Sequence, residues 1–150
     1  PAAVTTTTQA PPPPAPKAAG IGSKVRDGSF EFTVRSVKCG IKSVGDPSGF
    51  VTQKAQGQFC RVAVKVQNIG TSAQSMFSGN QYAFDSGGRK FTSSTEAALY
   101  DQSSQLLFTD VNPGNNVEGN IYFDVPKGAS LDHLELHDSA FSDGVSVSVG

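Results

Sequence analysis

With 150 residues, the chain has room for about one domain that buries its own core. A net charge of −1 and a pI near 6.1 favour neither nucleic acid nor an anionic membrane surface. The charge is nonetheless uneven: residues 1–90 carry eleven of the twelve Lys/Arg and a balance of +7, while residues 91–150 carry −8. Either one face orients a partner, or strands from the two halves pair and their exposed charges face each other, which is the simpler reading.

The opening segment, "PAAVTTTTQAPPPPAPKAAG", holds six of the nine prolines and no aromatic residue. Such a composition cannot bury enough apolar surface to offset its ordering entropy, so residues 1–22 read as a disordered Thr/Pro-rich linker. Residues 23–150 read as the folded unit. The chain starts with Pro rather than Met, which reads as a processed or truncated product whose signal or anchor lies outside it. It has no run of about 18 apolar residues that could span a bilayer.

Beyond the linker the hydrophobic period is two. "FEFTV" places Phe30, Phe32 and Val34 on one face, and a β-bulge near Arg35 and Ser36 would return Val37 and Cys39 to it. "FCRVAVKV" sends Cys60, Val62, Val64 and Val66 one way. The polar stretch between these runs, residues 40–57, reads as a long variable loop. "QYAF" presents Tyr82 and Phe84 as strand residues, and "DSGGRKF" is a hairpin turn on Gly87 and Gly88. "STEAALYDQSSQLLF" is ambiguous: a short helical turn at Ala-Ala-Leu, then a strand from Leu106 to Phe108. "VNPGNN" is a turn in which Pro113 presets φ and Gly114 takes a positive φ. It feeds a strand with Val117, Gly119, Ile121, Phe123 and Val125 on one face. Leu134 and Leu136, then Val145, Val147 and Val149, complete the series. Seven or eight short strands without a long helix describe an all-β antiparallel sandwich or small barrel.

Two cysteines in an exported small domain most often form one disulfide, so Cys39 and Cys60 are expected to pair with both side chains directed inward. Closing that loop would contribute roughly 3 kcal/mol. Buried free thiols or a redox pair are the alternatives, although the spacing is not that of a CxxC motif.

Both histidines, His133 and His137, flank Glu135 in "LDHLELHDSAF". On a strand these three share a face, but a rise of about 3.3 Å per residue sets the imidazoles about 13 Å apart. Metal–nitrogen bonds are about 2.1 Å, so the two cannot hold one ion. Leu134 and Leu136 are better explained as core residues, with the histidines on the solvated side. The acidic loop "DSAFSD" lacks the spaced ligands and glycine of an EF-hand. No nucleophile elbow, zinc-protease motif, P-loop or dinucleotide fingerprint occurs. The expectation is therefore no catalytic residue, no metal ligand and no cofactor.

Four segments, "GQFCRVAVKVQNIG", "NQYAFDSGGRKF", "VNPGNNVEGNIYFDVPKG" and "LELHDSAFSDGVSVSV", resemble an actinobacterial family of exported immunoglobulin-like domains. That family is related to a secreted immunoprotective mycobacterial antigen and to a membrane-anchored domain of unknown function. The resemblance spans roughly residues 28–149. It implies an immunoglobulin-like antiparallel β-sandwich outside the cytoplasm and carries over no catalytic residue. The chain departs from antibody domains in lacking tryptophan and in the close spacing of its cysteines.

The reading that follows is a non-enzymatic extracytoplasmic module, either secreted or anchored to the outer face of the cytoplasmic membrane. Its expected partner is an unidentified protein at the cell surface, met by loops 42–57 and 93–104. Nucleic acid is not expected, the membrane would be met only through an anchor, and the state would be a monomer or weak dimer. A small-ligand or metal-binding sensor is the alternative, and a hydrolase comes third.

Overall fold

Alternating apolar residues can be buried only if a second layer covers them, and here two four-stranded sheets cover each other. The structure is a computed structural model that describes Ala3 and residues 19–46, 48–104 and 106–150. The first sheet has the order β1-β2-β3-β8, with β1 Lys24–Asp27, β2 Phe30–Gly45, β3 Thr52–Asn68 and β8 Asn116–Val125. The second has the order β10-β9-β5-β6, with β5 Tyr82–Asp85, β6 Lys90–Thr92, β9 Leu131–Leu136 and β10 Val145–Ser148. A two-stranded ribbon joins β4 Gln74–Phe77 to β7 Phe108–Val111. The pairings between strands are antiparallel. The molecule is thus an all-β antiparallel sandwich.

Phe30, Phe32 and Val34 of β2, Cys60, Val62, Val64 and Val66 of β3, and Ile121, Phe123 and Val125 of β8 fill the core from one side. Ala83, Leu131, Leu134, Leu136 and Val147 meet them from the other. The register of β2 on β3 shifts between Val34 and Ser36, which is the bulge the slipped alternation of the sequence demands. The oppositely charged halves of the chain also meet within one sheet. Lys65 pairs with Glu118, and Arg35 reaches the same carboxylate at 2.6 Å.

Several expectations need correction. The described residues contain ten strands rather than seven or eight, and two of them are long. Residues 40–45 and 52–57 are strand rather than loop. β2 and β3 continue past the sandwich as a hairpin arm, with Val44 opposite Gln53 and Gly45 opposite Thr52. Beyond the sandwich both faces of the arm meet water for most of its length, so it carries no hydrophobic alternation to read. Tyr82 and Phe84 do lie on a strand, as expected, and it is their neighbours Ala83 and Asp85 that are the buried pair of β5. Leu106 is buried but precedes β7, whose first residue, Phe108, is exposed.

Residues 1, 2 and 4–18 of the expected linker lie outside the described residues. Ala19 and Gly20, also assigned there, dock on the end of β10: the Ser148 amide donates to Ala19 O at 2.6 Å, and Gly20 bridges Ser148.

Candidate functional site

In "GNIYFDV" the core takes Ile121, Phe123 and Val125, so Tyr122 must leave on the outer face of β8. An aromatic ring there needs a cover, and a short helix supplies it. The α1 helix, Thr95–Tyr100, is capped by Ser94, whose hydroxyl accepts from the Ala97 amide at 3.1 Å. Its Ala97 packs into a second small core with Val44, Phe59 and Tyr122. Phe59 and Tyr122 meet edge to face, with ring centroids 6.0 Å apart.

Between α1 and the arm lies an open cleft of about 540 Å³. Ile41, Ser43, Val44, Gly45 and Asp46 line it from the arm. Tyr100, Asp101, Gln102 and Ser103 line it from the helix end, with Arg61 and Tyr122 on the sheet. The structure therefore brings together the two segments singled out from sequence, 42–57 and 93–104. Parts of both line one concavity over the face of a sheet.

Asp101 is the polar anchor of the cleft. Its Oδ2 accepts from the Tyr122 hydroxyl at 2.6 Å and from Asn120 Nδ2 at 2.8 Å. Its Oδ1 accepts from the Ser103 amide at 3.0 Å and the Ser103 hydroxyl at 2.6 Å. Burial pushes this carboxyl upward, but the bonds from Asn120, Ser103 and Tyr122 outweigh it and hold it below the ordinary 3.8. Burial, reinforced by Asp101, pushes the Tyr122 hydroxyl well above its ordinary 10.0 against the opposing pull of Arg61. The pair is thus a fixed carboxylate and a fixed phenol. That arrangement rigidifies a wall; neither group has a pKa suited to moving protons near neutrality.

A depressed carboxyl stabilises the fold above its unfolded pKa and loses that contribution as pH falls through the folded value. Wild-type protein should accordingly lose more stability than Asp101→Asn when urea unfolding is compared between neutral pH and about pH 3. Equal losses in the two proteins would show that Asp101 is not held as a carboxylate.

The histidines are placed apart. His133 stacks on Phe84, with centroids 4.6 Å apart and planes at 5°. His137 is buried rather than solvated, because β9 ends at Leu136 and the following loop folds back over it. Its Nε2 meets Glu135 Oε1 at 2.7 Å, and its Nδ1 meets Ser142 O at 3.0 Å. Gly144, at φ 82°, lies so close that a Cβ would stand 2.6 Å from the imidazole. Among the described residues no group of three His, Cys, Asp or Glu side chains is arranged to hold a metal ion. In the acidic loop, Asp138 accepts from the Ser29 amide at 2.6 Å and from Gln74 Nε2, which ties the loop to the β1–β2 turn and to the start of β4.

Cys39 and Cys60 are joined by a disulfide. Cys60 is fully buried, whereas Cys39 is exposed, contrary to the inward direction expected of both. The irregular register of β2 after Lys38 accounts for that difference. The bond ties β2 to β3 where the arm leaves the sandwich.

Sequence reading missed Arg61, Asp101 and Tyr122 as one group. The available signal was the tyrosine at a position whose strand neighbours, Asn120 and Asp124, are polar.

A family model described as "Domain of unknown function (DUF4352)" matches residues 19–147. No curated protein matches the chain. Among solved structures, the chain is similar to the yjhA protein from Bacillus subtilis, at 19% identity and a TM-score of 0.66. That match covers 88% of this chain and 99% of the other. It is also similar to the secreted protein MPT63 from Mycobacterium tuberculosis, at 16% identity and a TM-score of 0.65, covering 90% and 98%. An uncharacterized beta-sandwich protein from Clostridium difficile gives 16% identity and a TM-score of 0.53, covering 93% and 98%. At these identities the likeness is one of fold. Among the described residues no helix is long and apolar enough to cross a membrane.

Proposed function

Because the chain belongs to the DUF4352 family, whose function is not known, we propose a role from the site itself: a non-enzymatic extracytoplasmic module that binds in the cleft between the arm and α1. The observation that carries the reading is the convergence of residues 41–46 and 100–103 on one concavity, built on a sheet that holds it rigid. The disulfide supports a location outside the cytoplasm, as does the fold shared with a protein described as secreted. Either release or anchoring through a segment outside the sequence is compatible with it. An actinobacterial source fits the segments quoted above.

The fixed state of Asp101 and Tyr122 supports binding without turnover. A small-ligand sensor remains the second reading, favoured by the enclosure of the cleft on three sides. Filling the cleft tests the proposal: Ser43→Trp should abolish retention of cell-surface partners, while Ser146→Trp, on the outer face of the opposite sheet, should not. Equal retention by both folded variants would move the binding surface elsewhere.

A further inference from the structure

Of the charged side chains lining the cleft, Asp46 and Asp101 are already committed to protein donors. Asp46 Oδ1 accepts from the Ser48 amide at 2.9 Å, and both oxygens of Asp101 are filled by Tyr122, Asn120 and Ser103. Arg61 differs. Among the described residues no carboxylate lies within 4.0 Å of its guanidinium, which sits beside the Tyr122 hydroxyl. Its cross-strand partner is Lys38, directly opposite on the same outer face and equally without a carboxylate. Like charges at paired positions repel, so Arg61 and Lys38 leave this part of the sheet face with positive charge that no ion pair among the described residues neutralises, while the two carboxylates of the cleft are bound to other donors. The disulfide joins the next residue pair, Cys39 and Cys60, and holds the two strands together at that point.

We propose that Arg61 is the anchor of a carboxylate-binding site, and that the cleft takes a small organic acid with an apolar body. The guanidinium fork suits a planar carboxylate, and Lys38 adds charge from the rim. Tyr100, Ile41 and Val44 offer the surface against which an aromatic or aliphatic body packs. The proposal rests on the cleft being the recognition surface and develops its small-ligand reading, adding the chemical class of the ligand.

The test is amide-resonance NMR on the whole chain, titrated with benzoate, phenylacetate and octanoate, each against its primary amide. The acids are expected to move the resonances of residues 41–46, 61, 100–103 and 122, with affinity falling as salt rises. Their amides should bind at least about tenfold more weakly, and Arg61→Gln should weaken the acids by a similar factor, since each change removes a charge-assisted bond. Arg61→Lys should fall between. Acids and amides binding the cleft alike, or Arg61→Gln leaving acid binding unchanged, would overturn the carboxylate assignment while the cleft itself stood. The absence of a shift with every acid would overturn it too, and the Ser43→Trp retention experiment would then decide separately whether the cleft binds anything.

Discussion

Replacing Asn68 with Ala is expected to lower unfolding stability by about 3 kcal/mol or more, among the largest effects of any polar substitution in the domain. The side chain is fully buried. Its Nδ2 donates to Ser72 O at 2.8 Å and Val111 O at 2.7 Å, and its Oδ1 accepts from the Gly70 amide at 2.8 Å. One amide group therefore fastens the end of β3, the turn after it and the end of β7. Each bond contributes about 1 kcal/mol net, and a buried carbonyl left without a donor costs about 1–3 kcal/mol more. This is the physical content of the "NIG" that follows the Val-rich strand. Urea unfolding at equal m-value measures the loss; a change below about 1 kcal/mol would mean that water replaces the side chain.

Removing the disulfide, as the Cys39→Ala/Cys60→Ala double variant, is expected to cost about 3 kcal/mol through the loop it closes. The loss should have a place as well as a size. Phe30 through Val34 stay in the sandwich core, while beyond Lys38 the arm is a two-stranded ribbon paired mainly with itself. Hydrogen exchange should therefore quicken chiefly in residues 41–57, and the cleft should loosen with them. Uniform quickening across both sheets would instead show that the bond stabilises the sandwich as a whole. Since Cys39 is exposed, mild reductant should reproduce the variant's exchange pattern without denaturant.

The parts of this fold that were legible in the sequence are those with one wet face and one dry face. Phe30, Phe32 and Val34, the alternating valines from Val62 to Val66, and Ile121 to Val125 each announce a half-buried strand. The slip after Val34 announces the bulge. The Pro113–Gly114 turn was legible because its chemistry is local: Gly114 takes φ 82°, and the Asn115 amide closes the turn on Asn112 O at 3.0 Å. The arm was illegible because a ribbon with both faces largely exposed has no period to betray it. His137 read as wet because its burial comes from the return of a loop, five to seven residues later, over a position that strand parity alone would expose. The cleft was half legible. Its two segments stood out as candidate binding loops, but their meeting depends on α1 covering Tyr122, a contact made between residues far apart in the chain.

Recognition at the cleft between the arm and α1 has a signature on the cell surface. Position-resolved photo-cross-linking on intact cells tests it most directly, with a photoreactive residue placed in turn at Ser43, Gln102, Thr92 and Ser146. Adducts forming from Ser43 and Gln102 but not from Thr92 or Ser146, and lost on addition of excess unlabelled domain, are the expected result. Adducts formed mainly from Thr92 and Ser146 would place recognition on the outer face of the opposite sheet and contradict it.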